Sequence, residues 1–374
     1  MNRGRFVGLL LAAFVVICGA LYFSAQRDAT REPQGIALLP SLATEVNAVT
    51  AVVVRKGSAT PAVTVHKTGA DWTVDERADY PADVGKLRKL LLSLRDARIV
   101  EEKTADPARF PVIGVEDPGT PGASGAEVTI ATPTTKFAVI VGKPVGEGNF
   151  VRRVGNNQTY SVEPGINVDA NPRSWIDPQL LDVAAALIQR IDIEPTPGVS
   201  TPGASTPGKS PASRAAAPPG ANGAYSLHRA NPADNTYTLD GVPAGRKAQG
   251  AAALAPAPTT FTGLTAEDVS PSSAIDFSHA AHAIVTLSDG NVITLTGAVV
   301  ADKHWMEIQA TKDAALTAKA AGRAFEIASY RYDAIFKPLE QLLEPKAAPA
   351  APAASTKKGA PARAPNPPTP TPAP

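Results

Sequence analysis

Two halves of this 374-residue chain carry the same short sequence landmarks in the same order. Landmarks that recur in a fixed order indicate an internal repeat, and each copy here is long enough to be a domain. The sequence therefore predicts two tandem, duplicated α+β units, at residues 45–188 and 189–345. The clearest matching pairs are "AVTVHK" (62–67) with "AYSLHR" (224–229), "WTVD" (72–75) with "YTLD" (237–240), and the segments that end at Gly142 and Gly297.

Within each copy, short alternating runs of apolar and polar residues predict mainly antiparallel sheets. Leu87, Leu90, Leu91 and Leu94 recur at helical spacing, and Asp83 precedes them as a candidate N-cap. A second helix is predicted over 175–188. Strands are predicted near 49–55, 62–67, 71–75, 98–102, 126–131, 136–141, 149–153, 158–162 and 191–193.

A run of three near-identical five-residue phrases, "TPGVSTPGASTPGKS" at 196–210, interrupts the second copy. Its position matches the short connection between the first two strands of copy one, so we expect it to lie inside a hairpin connection. Its composition predicts a disordered insert over 195–222. Lengthening a loop costs only about 0.6 kcal/mol per doubling, so a hairpin tolerates such an insertion.

The N-terminus contains an uncharged apolar run, Phe6–Phe23, preceded by Arg3 and Arg5. At 1.5 Å per residue a helix of this length spans about 27 Å, close to the hydrocarbon thickness of a bilayer. The two arginines favour a cytoplasmic N-terminus. Residues 1–26 are therefore predicted to be an uncleaved transmembrane signal anchor, which places the rest of the chain in the bacterial periplasm. A cleaved signal peptide is the alternative.

Composition predicts the state of the C-terminal tail and argues against some partners and types of site. Residues 346–374 are rich in Ala, Pro and Lys and predict a disordered tail. A formal net charge of +1 argues against nucleic acid as a partner. Because Cys18 is the single cysteine, the chain forms no intramolecular disulfide and has no multi-cysteine metal site.

Candidate metal ligands occur at Asp276, His279 and His282. Two histidines three residues apart on a helix could present two nitrogens to zinc, with the aspartate as a third ligand. However, a strand is predicted to start at about 283, so the histidines would lie on a short connector. We therefore expect surface or capping histidines, and predict no catalytic residue, no metal site and no cofactor.

Other conspicuous side chains also have two interpretations. His66 and His228 occupy matching strand positions, which indicates a structural role in both copies. Trp72, Trp175 and Trp305 could stack on sugars but are expected to pack in the core. Finally, a set of cations is expected to lie on solvated surfaces rather than to bind lipid or an acidic partner: Lys86, Arg88, Lys89 and Arg95 on the leucine-rich helix, and Arg152 and Arg153 on a strand edge.

Several of these segments resemble a bacterial membrane-anchored family, the domain-of-unknown-function 4340 family. The resemblance rests on the apolar N-terminus, the leucine-rich helix and four motifs, and it covers roughly residues 45–345. Members of that family are often encoded beside ABC-transporter parts of the gliding-motility type, so the resemblance implies an accessory role in the cell envelope. The motifs are "WTV" (72–74), "KTADPARFPVIGVEDP" (103–118), "FVRR" (150–153) and "SWIDPQLL" (174–181).

The sequence and the resemblance together predict a non-enzymatic, single-pass protein of the inner membrane. We expect it to act by binding, with ABC-type transporter subunits as partners. Two alternatives stay open. A cell-wall or polysaccharide-binding module requires exposed aromatic residues, and a metal-dependent envelope hydrolase requires a bound metal.

Overall fold

The computed structural model describes residues 35–195, 223–231, 234 and 236–345. The predicted anchor at 6–23, most of the insert (196–222) and the tail (346–374) lie outside these residues. Among the helices of the described residues, none combines the length and the apolarity that a membrane crossing requires.

The first part of the chain forms one antiparallel sheet of ten strands, in the order β1-β6-β10-β9-β8-β7-β2-β3-β4-β5. Its strands are β1 (Ile36–Ala37), β2 (Ala51–Lys56), β3 (Val63–Thr68), β4 (Asp71–Val74), β5 (Tyr80–Pro81), β6 (Arg98–Glu102), β7 (Ala126–Ala131), β8 (Lys136–Val145), β9 (Gly148–Arg153) and β10 (Thr159–Glu163).

The second part forms a sheet of eight strands, in the order β14-β13-β12-β17-β18-β19-β20-β16, and β11 pairs separately with β15. The strands are β11 (Gln179–Leu181), β12 (Ile188–Glu194), β13 (Tyr225–His228), β14 (Thr238–Asp240), β15 (Leu264–Thr265), β16 (Asp268–Pro271), β17 (Ala281–Leu287), β18 (Val292–Val300), β19 (Lys303–Ala310) and β20 (Arg323–Ile327).

The two sheets have the same strand order. Reading across the first sheet from β6 to β4 gives the same chain-order pattern as reading across the second from β16 to β14. Isolated bridges also correspond: Ala82 pairs with Ile176 in the first unit, and Ala248 pairs with Leu343 in the second. The mixed composition with antiparallel sheets agrees with the predicted α+β class.

Short helices connect the strands, and the longest of them was predicted from the leucine spacing. In α2 the leucines at 87, 90, 91 and 94 are buried, and the Asp83 carboxylate caps the first turn by accepting the Lys86 N–H at 3.0 Å. The helices are α1 (Leu42–Glu45), α2 (Val84–Asp96), α3 (Phe110–Ile113), α4 (Ala251–Leu254), α5 (Ala314–Ala320) and α6 (Ser329–Ile335).

The prediction of a helix over 175–188 is wrong. The structure has a 3₁₀ turn at Pro172–Trp175, strand β11 and a second 3₁₀ turn at Ala185–Leu187. Strand pairing explains the difference, because Gln179–Leu181 forms an antiparallel pair with β15, far along the chain, and such tertiary contacts override local helix propensity. The apolar side chains that suggested a helix are still buried, with Leu180 and Leu181 reaching the core from a strand.

One apolar core is continuous through both sheets and contains Val52 and Val65 of the first and Ile191 and Leu295 of the second. Residues before the predicted start of the first unit also belong to it. Leu38 and Leu42 are fully buried, because β1 pairs with β6 and α1 follows it.

The Thr-Pro-Gly run lies between two paired strands. β12 and β13 are antiparallel neighbours, with Ile193 opposite Tyr225. The connection that contains 196–210 therefore joins adjacent strands of the second sheet, as the repeat alignment predicted.

Candidate functional site

A histidine and an aspartate pair at the same place in both sheets. His66 on β3 contacts the Asp75 carboxylate just after β4 through its Nδ1 atom. In the second sheet, Nδ1 of His228 on β13 lies 2.9 Å from Oδ2 of Asp240 at the end of β14. Each pair ties the second strand of a unit to the third.

Strand alternation positions these histidines. In β3, Val63 and Val65 are fully buried, so His66 points to the opposite, partly exposed face. Its Nε2 atom lies 2.9 Å from the Thr68 hydroxyl and 3.3 Å from the Thr73 hydroxyl. Both ring nitrogens therefore have polar neighbours within the hairpin.

The first pair has an additional acid, Asp79. Ligand atoms of His66, Asp75 and Asp79 lie within 4.8 Å of one another, and this is the one such group of three in the described part of the chain. Ala78 and Asp79 both have positive φ angles, of 55° and 53°. Arg323 of the second unit donates hydrogen bonds to both of their carbonyl oxygens. One nitrogen and two carboxylates are a donor set that zinc accepts, although the two acids are exposed.

We expect the two histidines to stabilise the protein to a similar, small extent. Replacing His66 or His228 by alanine should each lower the free energy of unfolding by about 0.5–1 kcal/mol, because a partly exposed polar contact, charged or neutral, contributes little more. Urea unfolding of the full chain measures this. The His279→Ala variant is the control, since that side chain lies on an exposed turn. Loss confined to one of the two pairs would contradict a shared structural role.

The candidate metal ligands Asp276, His279 and His282, for which we expected surface or capping roles, do not form such a group of three within the described residues. Strand β17 already begins at Ala281, so the two histidines do not share a helix face. His282 is half-buried within the strand, 3.3 Å from the Thr296 hydroxyl. The Asp276 carboxylate accepts the Ser278 N–H at 2.9 Å, and this hydrogen bond lowers the pKa of Asp276.

The cations expected on solvated surfaces divide into two groups. Arg88 and Lys89 are exposed on α2, as predicted. Lys86 instead ties α2 to the segment after β10, since its Nζ lies 2.6 Å from the Asp169 carboxylate and 5.0 Å from the ring centre of Trp175. Burial alone would raise the pKa of Asp169, but hydrogen bonds from Lys86, Ser174 and the Asn171 backbone bring it below its ordinary value.

The prediction for Arg152 and Arg153 is wrong, because β9 lies inside the sheet between β8 and β10. Arg152 is 3% exposed, lies over the Phe110 ring and donates to the Asp117 carboxylate at 2.6 Å. Arg153 donates to the Leu38 carbonyl oxygen. Both guanidinium groups therefore satisfy loop and carbonyl oxygens rather than facing solvent.

The tryptophans pack as the core interpretation predicted. Trp175 is 1% exposed, and its indole N–H donates to the Asp169 carbonyl oxygen at 2.9 Å. Trp305 is also buried, and Trp72 packs against the core from the side.

A cluster of charged side chains that the sequence did not predict joins the two units; we call it the inter-sheet charge cluster. Asp268 on β16 and Glu326 on β20 are paired neighbours and are both buried. Arg77 and Arg173 of the first unit reach across to them, and Lys303 approaches Glu326 from β19.

The charged groups of the inter-sheet charge cluster lie within ion-pair distance of one another. Arg173 lies 3.3 Å from the Asp268 carboxylate and 3.1 Å from that of Glu326, and Lys303 lies 2.8 Å from Glu326. Arg77 also contacts Asp268 directly. Two buried carboxylates side by side repel each other, and the facing cations Arg77, Arg173 and Lys303 offset that repulsion.

Nearby contacts extend this junction. Lys319 of α5 pairs with Asp177 at 2.7 Å, and Tyr80 packs edge-on against Phe325. Burial of Tyr80 raises the pKa of its phenol above the ordinary value. Polar and apolar contacts together therefore bind the two sheets into one body.

Residues 72–235 match the model of a domain of unknown function (DUF4340). The DUF4340 match supports the family resemblance. It runs from β4 of the first sheet to the residues before β14 of the second, so it crosses the predicted border at 188. No curated protein and no solved structure matches the chain.

Proposed function

We propose that this protein is a membrane-anchored, periplasm-facing accessory or binding protein, without enzymatic activity, of an ABC-type transport or envelope machine. The observation that carries the proposal is the uncharged apolar run at 6–23, flanked by Arg3 and Arg5. A run of this kind has the length and charge asymmetry of a single membrane span. The transporter partner comes from the family resemblance, which the DUF4340 match supports.

The distance between the anchor and the folded body favours a partner in the same membrane. The folded body begins by Ile36, thirteen residues after Phe23. Even a fully extended chain of that length reaches only about 45 Å. Such a short tether keeps the body close to other membrane proteins and raises its effective concentration there.

The two units of the folded body are coupled to each other, which suits the body to binding a partner. Its continuous core and the inter-sheet charge cluster couple the two units. A rigid surface loses little conformational entropy when it binds, which favours recognition of another protein.

We also propose that the two units arose by duplication of one ancestral unit. The common strand order, the repeated His–Asp pair and the corresponding isolated bridges support this origin.

The alternatives have less support. Polysaccharide binding through tryptophan platforms requires exposed indole rings, whereas Trp175 and Trp305 are buried. The metal-dependent hydrolase depended on Asp276, His279 and His282, which do not gather into a group of three in the described residues.

Crosslinking in intact cells, followed by mass spectrometry, tests the proposed function. We expect the full chain to fractionate with the inner membrane, to keep its first two dozen residues, and to crosslink to ABC-type components. A Phe14→Arg variant places a charge in the middle of the apolar run, at a cost of about 3 kcal/mol for insertion, and should lose both the membrane association and the crosslinks.

A Phe14→Leu variant keeps the run apolar and serves as the matched control. Recovery of a soluble mature chain that lacks the N-terminal run would overturn the anchor. Retention in the membrane without any crosslinked ABC-type component would overturn the transporter role alone.

A further inference from the structure

The second unit contains a cavity of about 170 Å³ between its sheet and the segments that cover it. Strands β12 and β13 form the floor, and residues around α4 and α6 form the roof. The wall is mainly apolar and includes Ile191, Ile193, Leu227, Phe261, Ile335 and Leu342.

The corresponding stretch of the first unit shows why space remains here. Between β5 and β6 of the first unit, the 13-residue helix α2 supplies four buried leucines. Between β14 and β16 of the second, the helical segments are the four-residue α4 and a 3₁₀ turn at Ala257–Phe261, which are followed by the two-residue β15. These contribute just Leu254, Pro258 and Phe261 as buried side chains, so the cover has less volume.

Polar groups of the wall are mostly satisfied within the protein. The Tyr225 hydroxyl donates to the Lys337 carbonyl oxygen at 2.7 Å, and burial raises the pKa of this phenol. The hydroxyls of Thr259 and Thr260 donate to carbonyl oxygens one turn earlier, each at 2.7 Å. The hydroxyl groups of Tyr225, Thr259 and Thr260 therefore donate their hydrogen bonds within the protein rather than to a ligand.

Two cationic side chains on the cavity wall, unlike these hydroxyl groups, have no strong partner within the described residues. Arg331 and Lys337 are half-buried, and neither forms an ion pair with an acid of the described residues. Arg331 makes one long hydrogen bond, of 3.4 Å, to the Gly263 carbonyl oxygen and lies 5.8 Å from the Tyr330 ring centre. An apolar cavity with two unpaired cations on its wall complements a ligand that has a hydrocarbon end and an anionic end.

We propose that this cavity binds an aliphatic carboxylate of about six to eight carbon atoms. The chain would lie between β12 and the α6 side of the roof, and the carboxylate would pair with Arg331 and Lys337. The size follows from the volume, because an apolar protein cavity of about 150 Å³ holds a six-carbon ring. This site does not depend on the proposed anchor or transporter role.

Octanoate is the probe, with octanol as its uncharged analogue. Each is titrated by calorimetry into the full chain held in lipid nanodiscs, and the heat measured with empty nanodiscs is subtracted. We expect saturable binding of octanoate by the protein. Lys337→Gln should raise the Kd for octanoate about tenfold and leave that for octanol within about twofold, since only the carboxylate uses the charge.

Two further variants complete the test. Lys89→Gln removes an exposed cation from α2 and should change neither affinity. Ala334→Leu adds three carbons at the cavity wall and should weaken both ligands about tenfold, with circular dichroism to show that the variant is folded.

Absence of saturable binding above that of empty nanodiscs would overturn the proposal. So would an octanoate affinity that is unchanged by both Lys337→Gln and Ala334→Leu. An equal loss of octanoate and octanol affinity in Lys337→Gln would overturn the assignment of the carboxylate.

Discussion

Replacing Asp268 by alanine is expected to lower the free energy of unfolding by about 3 kcal/mol. Asp268 is buried and receives both Arg77 and Arg173 from the other unit. Its removal leaves Arg77 without its carboxylate partner and Arg173 with Glu326 alone, and loss of one member of a buried ion pair typically costs about 3–5 kcal/mol. We expect the lower end of this energy range because both arginine side chains are partly exposed to water. Urea unfolding of the full chain measures the difference.

Glu340→Ala is the matched control for this prediction. Glu340 also pairs with an arginine, Arg246, at 2.9 Å, but it is 70% exposed. Exposed ion pairs contribute about 0–1 kcal/mol, so the control should be almost as stable as the wild type. If Asp268→Ala and Glu340→Ala have equal effects, the inter-sheet charge cluster does not hold the units together.

Replacing Gly297 by alanine should cost about 2–3 kcal/mol of stability. A Cβ atom at this position would lie 2.5 Å from Cζ of Phe336 and 2.8 Å from Cε2 of Tyr332. These rings pack against each other with centres 4.7 Å apart, and burial raises the pKa of Tyr332 to about 12. Because both rings are buried, adding a methyl group forces either the rings or β18 to move, and overpacking of this kind costs 1–3 kcal/mol. Thermal unfolding would show the loss.

Gly250→Ala is the matched control, because the space around Gly250 can accept a Cβ atom. No atom lies within 4 Å of a Cβ built there, and its φ of −62° suits any residue. That variant should stay within about 0.5 kcal/mol of the wild type. A stable Gly297→Ala protein would mean that α6 and the segment after it do not pack against β18 as described.

The sequence predicted most strands because their signal is local. Alternation in β3, β7 and β17 reports directly which side chains face the core. The leucine spacing and the Asp83 cap located α2 in the same way. By contrast, the apolar residues at 175–188 suggested a helix, whereas Gln179–Leu181 pairs with β15, and no local pattern reports a partner so far along the chain.

The candidate site was predicted only in part. His66 and His228 were noticed as equivalent, and their partners Asp75 and Asp240 end the matched segments "WTVD" and "YTLD", so the pairs could have been found. The inter-sheet charge cluster could not, because Arg77 and Asp268 are 191 residues apart and no local pattern links them. Arg152 was misjudged for the same reason, since its partners lie on a loop far along the chain.

The pairing of Ile193 with Tyr225 has a practical consequence. It holds the two ends of the 196–222 connection about one strand spacing apart, roughly 5 Å, whatever their separation in sequence. A guest protein whose own termini lie close together, such as a fluorescent reporter, could take the place of that connection without altering the strand register. The protein therefore offers an internal labelling position that leaves both chain ends untouched.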